Sequence, residues 1–186
     1  LLGHSLTGAT MIDSKKTARN QLPKIRHALS VLNFGEVTKP RVFDLGCGKP
    51  AKFQQWCEDN GFAYFGYDPH NQPRLTNEVC LELLKRHPPH VTTISNVLNV
   101  IKDREERISV LKQAREMMRN GGYVVITVYA GDGSSQAGET RDGWQNRMPL
   151  ESYLDECREV FGDVTIQHSN GVKFIKCIVW LDETLK

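Results

Sequence analysis

The sequence predicts a doubly wound α/β sheet, mostly parallel, with an antiparallel hairpin at its C-terminal edge. Three observations carry this expectation. Two β-prone runs, Val42-Phe43 and Phe62 to Tyr67, each lead into an acid, Asp44 and Asp68, with a helix-like segment between them. Tyr123 to Val128 is almost continuously apolar, as a strand buried on both faces is. The last two β-like runs flank Ser169-Asn170-Gly171, a hairpin turn that breaks the alternation of strand and helix.

Each element has its own local reason. Ile25, Ala28, Leu29 and Leu32 recur at helical spacing, so residues 22–33 read as an amphipathic helix, with Pro23 in its first turn and Gly35 past its end. Residues 41–45 form the first strand. Pro50 opens a helix that turns Phe53 and Trp56 inward and stops at Gly61. Residues 62–68 are the second strand. Pro69 and Pro73 keep the next stretch irregular, and Leu75 to Arg86 reads as a helix through Val79, Leu81, Leu83 and Leu84. Residues 71–90 carry no clear third strand. Val91 to Val97 is the next strand. Asp103-Arg104-Glu105-Glu106 is a capping box opening a helix to about Arg119. Asn120-Gly121-Gly122 ends that helix and turns into the central strand. Gly131 to Met148 is a long glycine-rich loop of the kind that is usually functional or disordered. A helix over Leu150 to Phe161 and strands over Val164–His168 and Lys173–Leu181 complete the chain.

The 186 residues suit one domain, organised as an N-terminal arm and helix (1–40), a ligand-binding core (41–130), and a loop, helix and hairpin (131–186). Charged residues make up 25% and the net charge is only +2, so bulk charge neither demands nor excludes a nucleic-acid partner. No apolar run is long enough to span a membrane and no signal-peptide pattern is visible, so a cytoplasmic protein is expected. Five scattered cysteines without CxxC spacing point to reduced thiols, with neither a metal site nor a disulfide framework signalled. The oligomeric state is left open.

The chemistry centres on Arg41 to Pro50. A strand runs into Asp44-x-Gly46-x-Gly48 and then into a helix start, so backbone can approach a ligand closely. Dinucleotide sites use G-x-G-x-x-G, whereas this turn begins with an acid and lacks the third glycine. An acid there suits a ligand carrying an amino group and repels a pyrophosphate. Asp68, about twenty residues on, is placed to accept both hydroxyls of a ribose.

These segments, Val42–Gly48 and Gly66–Asp68, together with Ile94 to Ile101 and Asn120 to Ile126, resemble the class I S-adenosylmethionine-dependent methyltransferases. The resemblance spans about residues 41–130. It implies a Rossmann-like fold, S-adenosyl-L-methionine as cofactor, and cofactor contacts from Asp44, Gly46, Cys47, Gly48, Asp68, Ser95 and Asn96. Cys47 reads as a small packed residue and not a nucleophile. Pro50 stands where many members carry another glycine, which costs one donor to the ligand carboxylate. A narrower set also resembles methyltransferases associated with DNA phosphorothioation genes. It comprises Lys16-Thr17-Ala18-Arg19, Gly66 to His70, Asn96 to Ile101, Thr140-x-x-x-Trp144-Gln145, and Leu150-x-x-Tyr153-Leu154. That likeness implies a DNA-related role and a nucleic acid or nucleotide-like acceptor.

Acceptor groups in such folds sit beyond the C-terminal ends of the strands, which nominates Asn96, Asn99 and Tyr129. Asn99 is equally a turn residue, and Tyr129 equally a core edge. His70 is a candidate general base or adenosine contact, or a turn histidine with no task. Trp144, with Gln145, either stacks on a flat acceptor or anchors its loop. Lys16 and Arg19 either hold an anionic group or are solvated. No D/N/S-P-P-Y/F/W motif follows the strand at 91–97; His87-Pro88-Pro89-His90 precedes it and lacks the acid or amide. No Pro-Cys dipeptide is present, so covalent cytosine-C5 chemistry has no support. Methylation of a small metabolite, and a cofactor-binding module without chemistry, stand as the other readings.

Overall fold

The computed structural model describes residues 21–131, 136–141 and 143–181. One six-stranded sheet organises them, in the order β2-β1-β3-β4-β8-β7. Its strands are β1 (Arg41–Leu45), β2 (Ala63–Tyr67), β3 (Val91–Ser95), β4 (Gly122–Thr127), β7 (Val164–Ser169) and β8 (Val172–Val179). The first four are mutually parallel, while β8 runs antiparallel to β4 and to β7. A separate small hairpin joins β5 (Gly138–Thr140) and β6 (Gly143–Gln145) within the long loop.

The helices form layers on both faces. Inward side chains alternate along each strand, as a pleated sheet demands. Val42, Val91, Val125 and Phe174 face α1 (Arg26–Leu29) and α2 (Ala51–Asp59). Phe43, Ile94, Val124, Ile126 and Ile175 face α3 (Arg74–Arg86), α4 (Arg104–Met117) and α5 (Leu154–Phe161). Asp103 caps α4 by accepting from the Glu106 N–H at 3.0 Å. The β7–β8 turn uses Asn170 and Gly171 with φ of 48° and 72°, the left-handed pair that lets a two-residue hairpin follow the twist of its strands. Arg41 donates twice to the Pro88 carbonyl, at 3.0 and 2.9 Å, so the 87–90 segment is tied to the start of β1. Among the described residues no helix is long and apolar enough to cross a membrane.

One local expectation is corrected and two elements gain detail. The helix expected over 22–33 shrinks to the single turn Arg26–Leu29, flanked by i to i+3 bonds such as His27 N–H to the Lys24 carbonyl. In α3 the buried face is Asn77, Cys80 and Leu84, whereas Leu75, Val79 and Leu83 are 71%, 51% and 41% exposed. The reason is geometric: residues at i, i+3 and i+7 share one helix face, and Asn77 is held there by the sheet edge. Finally, α5 begins after a 3-10 turn at Leu150–Tyr153.

No strand forms between β2 and β3 among the described residues, so β2 is the sheet edge. After β1 the chain goes to β2 on one side, and α3 then returns it to β3 on the other. That reversal opens a crevice at the C-terminal end of β1, where ligands of such sheets bind.

Candidate active site

The crevice is a cavity of about 540 Å³, within the range of small-ligand sites. Its floor is the turn after β1. The Gly46 and Cys47 N–H groups both reach the Tyr67 carbonyl, at 2.8 and 3.1 Å, so the turn prolongs the β1–β2 pairing. Gly46 has φ +78°, and a Cβ there would lie 2.5 Å from Cγ2 of Val97. Only glycine meets both conditions.

Asp68 closes the turn from β2. Its Oδ2 accepts from the Gly48 N–H at 2.8 Å, and its Oδ1 from the N–H groups of His70 and Asn71 at 2.8 and 2.9 Å. The Asn71 side-chain amide lies 3.2 Å from each oxygen. Gln72 donates to the Gly48 carbonyl at 2.8 Å, completing a clamp between the two loops.

The backbone of Asp68 is held by a residue sequence reasoning missed. The Tyr67 carbonyl bonds inward to the turn after β1, so the peptide groups of Asp68 face away from β1, where a further strand would lie. Asn77 of α3 fills that place. Its Oδ1 accepts from the Asp68 N–H at 3.1 Å and its Nδ2 donates to the Asp68 carbonyl at 2.9 Å. One side-chain amide thus satisfies both groups that the absent strand leaves open.

Asp44 is buried beneath the turn. It accepts from Thr93 Oγ1 at 2.7 Å and from the Tyr64 hydroxyl at 2.9 Å. Burial pushes its carboxyl up to about 6, an effect that the Thr93 and Tyr64 bonds oppose and the charge of Asp68 assists. Burial, and then the charges of Asp44 and Asp68, push the Cys47 thiol upward, away from a nucleophilic thiolate.

The remaining candidates divide. Ser95 lines the cavity, its hydroxyl 3.3 Å from that of Thr127. Asn96 lines it too, with φ +58° and its N–H on the Thr127 carbonyl at 2.9 Å. Tyr129 is exposed on the cavity wall. His70 is on the wall, yet its Nε2 is buried and without a partner.

Asn99, Trp144 and Gln145 are not among the residues lining this cavity. Asn99 Nδ2 donates to Gln145 Oε1 at 3.0 Å, and the Asn99 carbonyl accepts from the Asn146 N–H at 2.7 Å. Trp144 donates to Asn146 Oδ1 at 2.6 Å, with the Lys102 ammonium 4.7 Å from its ring centre. Asn146 in turn donates to the Leu98 and Ile101 carbonyls. These residues fasten the β5–β6 hairpin behind the cavity wall. Lys16 and Arg19 fall outside the described residues. Their neighbour in the basic segment, Lys24, does line the cavity, as does Lys49; both are exposed, and among the described residues no carboxylate pairs with either. Also among the described residues, no group of three His, Cys, Asp or Glu side chains is arranged to hold a metal ion.

Residues 15–166 match the family model described as a methyltransferase domain. The chain belongs to that family. Solved structures of similar fold include PigF with SAH, at TM-score 0.57 and 14% identity over 84% of this chain. Another is the 1,6-didemethyltoxoflavin-N1-methyltransferase of Burkholderia thailandensis, whose structure holds 1,6-didemethyltoxoflavin and S-adenosylhomocysteine. It matches at TM-score 0.53 and 13% identity over 77% of this chain and 72% of that one. A methyltransferase of Methanosarcina mazei matches at TM-score 0.57 and 11% identity, over 87% of this chain and all of that one. The methyltransferase domain described here spans 54% of the PigF chain, about half its length. No curated protein matches the sequence.

Proposed function

We propose that this methyltransferase domain binds S-adenosylmethionine in the 540 Å³ cavity and methylates a small acceptor that enters beside it. One observation carries the reading: the Asp68 carboxylate and the Gly46–Gly48 turn are locked together at the switch point of the sheet. A carboxylate there accepts the ribose hydroxyls, and the buried Asp44 faces an amino group with the opposite charge. The residues fit such a ligand, since an acid leads the turn and Gly46 leaves no Cβ to obstruct it. When bound, S-adenosylmethionine supplies a methyl group made electrophilic by a sulfonium. The domain's task is then to hold an acceptor in line with that methyl and to keep water away. Ser95 is the last residue of β3 on the wall, Asn96 and Tyr129 lie beyond the strand ends, and these last two are the residues we assign to acceptor positioning.

The acceptor is assigned as a small molecule because Trp144 and Gln145 are used to fasten their own hairpin. A nucleotide-like or nucleic-acid acceptor, in keeping with the likeness to phosphorothioation-associated methyltransferases, is a second reading. It is favoured by Lys24 and Lys49 on the cavity, with which no carboxylate pairs among the described residues. Transfer of labelled methyl from S-adenosylmethionine to DNA, RNA and metabolite extracts separates them. Label in the metabolite pool alone is expected. Label in nucleic acid alone would establish the second reading, and no transfer to any pool would leave a cofactor-binding module.

A further inference from the structure

The Asp68 carboxylate carries more hydrogen bonds than one anchor for a turn requires. Three come from backbone N–H groups, on Gly48, His70 and Asn71, at 2.8 to 2.9 Å. They belong to the fold of the two loops and persist whatever side chain stands at position 71. The Asn71 side chain differs. Its Nδ2 sits 3.2 Å from Oδ1 and 3.2 Å from Oδ2, straddling the carboxylate. An ionised carboxylate offers about four acceptor sites. With three of them given to backbone, the edge that remains is the one Asn71 covers.

Two of the backbone donors are on Oδ1 and one is on Oδ2, so the open site is on Oδ2, and a vicinal diol needs it for one of its O–H groups. Asn71 is half-buried, lines the cavity, and is tethered by a rotatable side chain. We propose that the Asn71 amide is a built-in occupant of the ribose-diol site. In the ligand-free protein it keeps the buried carboxylate satisfied, and a nucleoside with an intact 2′,3′-diol displaces it. Asn71 therefore tempers the preference for a diol: a diol must displace the amide before its O–H reaches Oδ2, while a ligand without one leaves Asn71 in place. The inference rests on the reading of this cavity as an adenosyl site.

The test is calorimetric titration of the described protein and its Asn71→Ala variant with S-adenosylhomocysteine and with its 2′,3′-dideoxy analogue. Asn71→Ala is expected to tighten S-adenosylhomocysteine about 3- to 10-fold, the scale of one ordinary hydrogen bond, and to leave the dideoxy analogue unchanged. Weaker binding of S-adenosylhomocysteine by the variant, or an equal shift for both ligands, overturns the proposal. A second readout needs no variant. In 15N-labelled wild-type protein the Asn71 side-chain amide signal is expected to move on adding S-adenosylhomocysteine but not the analogue, and a signal that stays put overturns the proposal as well. Failure of the wild-type protein to bind S-adenosylhomocysteine is a separate outcome, visible before any variant is made, and it removes the adenosyl reading itself.

Discussion

Asn77→Ala probes how the sheet edge is completed. The amide of Asn77 satisfies the Asp68 N–H at 3.1 Å and the Asp68 carbonyl at 2.9 Å, and both residues are buried. Alanine leaves both backbone groups without a partner. Each unsatisfied buried group costs about 1–3 kcal/mol, and the better helix propensity of alanine returns roughly 0.5 kcal/mol. Water entering at the sheet edge recovers part of the loss, so the expected net destabilisation is about 2–4 kcal/mol. Asn77→Asp keeps an acceptor for the Asp68 N–H but places a second carboxylate against the Asp68 carbonyl, so it is expected to be no better than alanine. Thr76→Ala, on the exposed side of α3, is the control and should stay within about 0.5 kcal/mol. Urea denaturation followed by far-ultraviolet circular dichroism measures all three. A loss below about 0.5 kcal/mol for Asn77→Ala would show that this amide does not stand in for a strand.

Two further outcomes follow from buried charges. Asp44 has its carboxyl raised to about 6, so the folded protein binds a proton there that the unfolded chain, titrating near 3.8, binds only in stronger acid. Protonation relieves the burial penalty, so this group adds stability as pH falls from above 6 toward 4. A ligand amino group favours the ionised form, so affinity for S-adenosylhomocysteine should fall as pH drops below about 6, by at most tenfold per unit. Calorimetry at pH 7 and pH 5 checks this, and Asp44→Asn should abolish the dependence. Arg107 and Glu156 form a buried pair, with contacts of 2.6 and 2.9 Å, and Arg107 also donates to the Ile101 and Lys102 carbonyls. Glu156→Ala strands a buried guanidinium, and a loss of about 3–5 kcal/mol in urea unfolding is expected.

Much of the frame was legible because it rests on local rules. The strand before Asp44, the capping acid Asp103 and the Asn170-Gly171 turn each follow from residues adjacent in sequence. The lack of a strand in 71–90 was legible too, since Pro73 and the helical run after it leave no room for one. What the sequence hid depends on partners far along the chain. Asn77 looks like any polar helix residue until β2 proves to be an edge. Arg107 and Glu156 are 49 positions apart, and each reads alone as a solvated charge. The apolar residues Leu75, Val79 and Leu83 of α3 are exposed, while Asn77 turns inward with Cys80 and Leu84. For Asn99 and Trp144 the type of residue was informative but the direction was not. The 46-residue reach from Asn99 to Gln145 closes the hairpin against the wall, and no local pattern records it.

The central claim is that the crevice after β1 holds an adenosyl ligand by way of Asp68. Calorimetric titration of S-adenosylhomocysteine into the wild-type protein and into Asp68→Ala, with folding of each confirmed by circular dichroism, tests it most directly. One saturable site is expected in the wild-type protein. Loss of the charged acceptor should weaken it by about 1–3 kcal/mol, roughly 5- to 150-fold in affinity. Absence of binding by folded wild-type protein, or equal affinity in the two proteins, would contradict the account.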